Sequence, residues 1–195
     1  QYIKDARQFT AHRGLILHLD GARAFNAAVA QDIGLAEITS QFDSVSLCLS
    51  KGLGAPVGSV LCGSEAYIRE ARKWRKMVGG GMRQAGILAA AGSYALENNI
   101  QRLREDHDNA RWLADQLRSI PSLAEFDASV RQETNMVFVD LADAMARELP
   151  AYLRRHHILI LPLNPLRLVM HKDIERSDLE YFVEVLRKAV LDPRG

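Results

Sequence analysis

HLDGARAFNAAVA (18–30) and, thirteen positions further on, DSVSLCLSKGLGAPVGSVL (43–61) are the stretches that decide the fold. Residues 15–19 form a nearly continuous apolar run ending at Asp20, the pattern of a strand buried on both faces of a parallel sheet. Residues 22–41 carry the Ala-rich spacing of helix with a break at Gly34, and residues 44–50 read as a second strand. Together they make a β-α-β unit of the expected length. Lys51, Gly52 and Gly54 then form a loop, Pro56 prevents its continuation as helix, and residues 57–62 read as a third strand.

Upstream, residues 1–14 have the texture of the end of an amphipathic helix stopped by Gly14. The chain opens inside that helix and without Met, which predicts that an upstream portion precedes it. Downstream, helices are expected at 64–76 and 84–97 around a hinge of Gly79, Gly80 and Gly81. A charged helix follows at 100–118, with Pro121 beyond its end. The remaining pattern is strand 134–141, helix 143–156, strands 158–161 and 166–170, and helix 177–190, a small α+β layer. The domain change falls in the charged helix, giving residues 1–105 as part of a large α/β domain with a parallel-rich sheet and 106–195 as a small C-terminal domain.

Composition narrows the function. The 195 residues include 25 Lys+Arg against 24 Asp+Glu, a formal charge of +1, which argues against a polybasic nucleic-acid surface. No apolar stretch approaches the roughly 20 residues that a membrane helix requires, and no charged-then-apolar leader opens the chain. Cys48 and Cys62 sit in apolar runs and do not make a disulfide framework, so they read as reduced core thiols of a cytoplasmic protein.

In open α/β sheets ligands collect at the carboxyl ends of the strands. Asp20 and Lys51 both fall at such ends, 31 residues apart across one crossover, and are therefore expected to be neighbours. Taken singly, a Lys beside glycines is usually a solvated loop residue and Asp-Gly commonly marks a turn. As a pair they suit pyridoxal 5'-phosphate, with the amine forming a Schiff base and the carboxylate keeping the pyridine nitrogen protonated. Partial desolvation after the run SVSLCLS would favour the neutral, nucleophilic amine.

The stretches 18–30 and 43–61, with WRKMVGGGMRQAGILAAAGSYAL (74–96), REDHDNARWLADQL (104–117) and LRLVMHKDIERSDL (166–179), closely resemble the low-specificity L-threonine aldolases. These are fold type I pyridoxal phosphate enzymes, and the resemblance runs from about residue 1 to the last helix. It implies retro-aldol cleavage of L-threonine or L-allo-threonine to glycine and acetaldehyde. It also implies that Lys51 forms the internal aldimine, that Asp20 partners the pyridine nitrogen, and that Arg23 and Arg167 hold the substrate carboxylate. A planar guanidinium suits that last task because it binds a carboxylate bidentately. Lys76 and Arg83 lie in the segment that family members bring to the active site at a dimer interface, so either can face a phosphate or substrate there. A flexible basic hinge is the competing reading.

Ser50, just before the lysine, is a candidate contact to the phosphate. His171 reads as a structural neighbour, and His156 and His157 suit a helix end rather than a metal site, so no metal is expected. The resemblance further implies a homo-oligomer acting on a small amino acid, with neither nucleic acid nor membrane as partner. Family members carry an upstream region that supplies the phosphate cup and the histidine stacking on the ring, and those motifs are absent from this sequence. The isolated chain is accordingly expected to bind the cofactor weakly or not at all.

Three alternatives stand beside this reading. GLGAPVG (52–58) resembles a dinucleotide loop but precedes a strand instead of opening a helix. A transaminase or serine hydroxymethyltransferase-like enzyme would retain Lys51 and Asp20 without the combined KGLGAPVGS and GGGMRQAG stretches. A truncated, inactive fragment would act only as an oligomerising scaffold through residues 74–97.

Overall fold

The computed structural model describes residues 1–120 and 129–191, and Pro121 lies outside them. Contacts divide the chain into two compact units, Gln1–Leu103 and Arg104–Gly195.

The first unit opens with α1 (Tyr2–Ala11) and leads through a turn to β1 (His18–Gly21). The crossover contains α2 (Ala24–Gln31), which ends on a left-handed Asp32, and α3 (Leu35–Thr39). At the start of α3 the Gly34 N–H donates to Glu37 Oε1 at 3.0 Å, which satisfies one of the orphan donors of a helix N-terminus. The chain returns as β2 (Ser44–Cys48), parallel to β1, and β3 (Ser59–Gly63) then pairs antiparallel with β2. The sheet is thus mixed, in the order β1-β2-β3. Asp43 fixes its entry, because one carboxylate oxygen accepts from the Leu17 N–H and from the Arg7 guanidinium, both at 2.8 Å. That backbone donor, with Arg7 second, holds the Asp43 carboxyl below its ordinary range.

Phe25, Leu49, Leu53, Ala55, Ala95 and Leu103 form the core of this unit. Helices α4 (Glu65–Met77) and α5 (Gly86–Asn98) follow β3, with Ser64 capping α4 by accepting from the Tyr67 N–H at 3.3 Å. Within the described residues α4 buries none of its side chains, α5 buries only Gly92 and Ala95, and every residue of β3 is exposed.

The second unit takes up α6 (Leu103–Arg118) from its second residue onward. A meander of β4 (Val130–Glu133), β5 (Met136–Val139) and β6 (Leu166–Val169) is antiparallel throughout, with α7 (Asp143–Arg155) and α8 (Arg176–Leu191) completing the unit. Its core runs continuously through Leu113, Leu117, Val137, Leu153, Leu166, Phe182 and Leu186. Asn135 is fully buried and satisfied, donating to the Met170 carbonyl at 2.7 Å while its own carbonyl accepts from the Met170 N–H.

Four expectations are corrected. The first strand is His18–Gly21 and not 15–19, since Leu15 and Ile16 are exposed and the ladder starts only where His18 meets Ser44. The strand expected at 134–141 is the second arm of a hairpin whose turn passes through Thr134 at φ 49°, and β4 ahead of it was not expected. Residues 158–161 join no ladder. Ile158 and Ile160 pack on the core while Leu159 and Leu161 face out, so the alternation is that of a strand without the pairing. Cys62 is exposed on β3 and Cys48 is half-buried, so neither is a core thiol, although both are free.

Candidate active site

Parallel pairing places the ends of β1 and β2 side by side, with Asp20 opposite Ser46 and Gly21 opposite Leu47. Asp20 is the next-to-last residue of β1 and is exposed, and its Oδ1 accepts from the Ala22 N–H at 3.1 Å, turning the chain toward α2. Gly21 makes that turn possible. A Cβ there would stand 2.7 Å from the Ser46 carbonyl oxygen and 2.9 Å from Leu47 Cδ2, closer than any side chain tolerates. Arg23 follows as the half-buried N-cap residue of α2, so Asp20 and Arg23 leave the same strand end.

On the neighbouring strand end, Leu49 is buried and its N–H donates to the Gly58 carbonyl at 3.0 Å. Lys51 follows two residues later on a tight turn closed by Gly54 N–H to Lys51 O at 2.9 Å, with Gly54 at φ 69°. Ala55 N–H to Leu49 O at 3.0 Å brackets the turn, and Leu53, only 1% exposed, drives it into the core. Gly52 is packed against its surroundings, since a Cβ there would meet Leu103 Cδ2 at 2.8 Å and Asn26 Oδ1 at 3.1 Å. The Lys51 side chain is exposed and has no hydrogen-bond or ion-pair partner among the described residues, so the desolvation expected of it is not found in this unit.

The other sequence candidates are placed as follows. Ser50 is exposed, its Oγ 3.5 Å from Cys48 Sγ. Lys76 lies in the last turn of α4 and packs over Gly81, where a Cβ would touch its Nζ at 3.0 Å; Arg83 stands exposed in the following turn. Arg167 belongs to the second unit, exposed on β6 opposite Phe138. With His171 it helps line an open cavity of about 500 Å³. Among the described residues no group of three or more His, Cys, Asp or Glu is arranged to hold a metal ion.

Three residues around the first-unit site escape the sequence reading. His18 lies two positions before Asp20, hence on the same face of β1, with its Nδ1 2.8 Å from Ser44 Oγ. Asn26 is buried beside Gly52, and Asn99 donates from its Nδ2 to the Leu53 carbonyl at 2.7 Å. No local spacing announces any of them, because each acts through a neighbour distant in sequence.

An exposed primary amine and an exposed carboxylate at adjacent parallel strand ends form a donor set suited to a pyridine aldehyde. Comparison with known proteins agrees with that chemistry. Residues 1–144 match the family described as Beta-eliminating lyase. The chain belongs to this family. It is 54% identical over 180 residues to the low specificity L-threonine aldolase of Escherichia coli K12, covering 92% of this chain and 52% of that protein. It is 40% identical over 196 residues to low-specificity L-threonine aldolase 1 of Arabidopsis thaliana, covering 98% of this chain and 54% of the relative. The chain therefore spans about half the length of the curated relatives it matches.

A crystal structure from Exiguobacterium sp. 255-15, a putative aromatic amino acid beta-eliminating lyase/threonine aldolase, superposes with TM-score 0.79. It is 22% identical and covers 96% of this chain and 56% of that one. The fold of this beta-eliminating lyase chain is fold type I, and threonine aldolases and beta-eliminating lyases of this fold depend on pyridoxal phosphate. No helix among the described residues is long and apolar enough to cross a membrane.

Proposed function

We propose that this protein cleaves L-threonine and L-allo-threonine to glycine and acetaldehyde, with pyridoxal phosphate anchored on Lys51. The observation that carries the reading is the unpartnered Lys51 amine on a hydrogen-bonded turn just beyond the end of β2, which runs parallel to the strand whose end presents Asp20. Kinship with threonine aldolases at 54% identity supports the choice of reaction. When bound, the cofactor's protonated ring supplies the electron sink that a retro-aldol cleavage needs.

Each residue has a defined task in this reading. Lys51 holds the cofactor's aldehyde carbon, and Asp20 holds a proton at the pyridine nitrogen. Arg23 and Arg167 bind the substrate carboxylate through planar guanidiniums, and that orientation selects which bond at Cα breaks. Ser50 and Arg83 serve the phosphate, and Lys76 the substrate side. The turn after Asp20 supports its role, because the Ala22 N–H engages one carboxylate oxygen and the residue is otherwise exposed. Residues 1–105 are then part of a larger cofactor-binding domain and 106–195 a small C-terminal domain, in a cytoplasmic homo-oligomer whose neighbouring subunits complete each site. The exposed apolar side chains Trp74, Met77, Val78 and Ile87 support such an assembly.

The test is to mix the intact protein with pyridoxal phosphate, reduce with borohydride, and map the label by peptide mass. Weak as binding to this chain is expected to be, the label that is trapped is expected on Lys51 ahead of every other lysine. Lys51→Ala is expected to lose it and to lower acetaldehyde release at least about a thousandfold. A folded sample labelled only on other lysines would remove the catalytic assignment and leave the scaffold reading, which the exposed surface of α4 and α5 favours.

A further inference from the structure

We infer that Asn99 is a positioning residue for Lys51, acting through the backbone of the turn that carries it; this rests on the cofactor reading above. The turn is closed locally by two hydrogen bonds, Gly54 N–H to Lys51 O and Ala55 N–H to Leu49 O. Both lie within a seven-residue span of sequence and fix the shape of the turn, not its placement on the unit. Placement comes from side chains. Leu53 is sunk into the core beside Leu103, and Gly52 fits against Leu103 and Asn26 with no room for a Cβ.

Asn99 adds the directional element. It is the C-cap residue of α5, its N–H donates to the Ala95 carbonyl at 3.0 Å, and its side-chain Nδ2 reaches the Leu53 carbonyl at 2.7 Å across 46 residues of sequence. The bond is part-buried, so water replaces it poorly, and removing the donor leaves the Leu53 carbonyl unsatisfied. Leu53 lies two residues beyond Lys51. The peptide unit that Asn99 holds by its carbonyl also carries the Gly54 N–H that donates to Lys51 O at 2.9 Å, so a rotation of it is transmitted to the lysine backbone, and small displacements of a reacting group are costly. Asn99 touches no reacting atom; it sets where the amine stands.

The experiment uses Asn99→Ala, Asn99→Asp and Asn99→Gln in the intact protein. Asp keeps the size but offers an acceptor to a carbonyl, whereas Gln keeps the amide donor, so the series remains informative should the Ala variant fail to fold. Two readouts are taken. One is hydrogen exchange at the Gly54 and Ala55 amides, which needs no cofactor. The other is the ratio of pyridoxal phosphate trapped by borohydride on Lys51 to that on Lys73 of α4.

Ala and Asp are expected to raise exchange at those two amides about tenfold and to lower the Lys51:Lys73 ratio about tenfold, with β1 and β2 amides unchanged and Gln recovering most of both. Unchanged exchange and an unchanged ratio in a folded Asp variant would overturn the inference, as would exchange that rises evenly across the unit. Should the unmodified protein show no preference for Lys51 over Lys73, the cofactor reading falls by itself. The clamp on the turn is then judged by exchange alone.

Discussion

The two units are nearly equal in length and differ in what they do with their apolar residues. The second surrounds one continuous core with α6, α7, α8 and one face of its sheet. The first has a continuous cluster of only six buried apolar side chains and leaves Trp74, Met77, Val78, Met82 and Ile87 in solvent, together with all of β3. Hydrophobic content is therefore no guide to a self-sufficient core; what matters is whether each apolar stripe meets another. In the second unit the stripes meet within the chain. In the first, α4 and α5 present theirs outward, where the assembly proposed above would cover them.

The sharpest way to break this contrast is to separate the units. Residues 104–195 are expected to melt in one cooperative transition. Residues 1–103 are expected to melt broadly and to bind a hydrophobic dye at room temperature. A sharp transition without dye binding for the first piece would refute the contrast. Next in size come core truncations. Leu153→Ala, at a side chain with no exposure, is expected to cost about 2–5 kcal/mol in urea unfolding. Trp74→Ala, at a side chain 61% exposed, is expected to change stability by less than about 0.5 kcal/mol while lowering dye binding.

A smaller effect concerns pH. Burial pushes the imidazole of His107 below its ordinary value, with Arg111 acting in the same direction and Asp108 against it. The native state therefore holds this ring neutral, and its contribution to stability is present above the unfolded value of about 6.5 and lost as pH falls through the folded one. His107→Gln is expected to flatten the fall in melting temperature below about pH 6.5. The smallest effect is expected at the exposed Arg69–Glu65 pair on α4, 2.8 Å apart, where Glu65→Gln leaves the melting temperature unchanged.

Much of this was legible in the sequence, for identifiable reasons. The crossover from Asp20 to Lys51 was readable because strand ends, an Ala-rich helix and a Gly break are all local signals, and the parallel register of β1 and β2 follows from them. The limits are as instructive. Apolar alternation at 158–161 reported which side chains face the core, yet ladder pairing is decided by a partner strand, and none takes up that segment. The antiparallel placement of β3 and the arm β4 are likewise settled by partners. At the site, the turn glycines and the lysine were visible, whereas Asn99 was not. Its role exists only once Leu53 is brought to it from 46 residues away.

Gly21 bears no functional group, yet it stands between Asp20 and Arg23 with a backbone carbonyl where its side chain would be. In a scan of every substitution at every position, it will behave like a chemical participant: each replacement should abolish activity, alanine included. The damage would be steric, displacing both flanking residues at once. A map of intolerant positions drawn around this strand end will therefore trace the outline of a turn as well as the reach of a catalyst, and only a readout separating folding from turnover can distinguish the two.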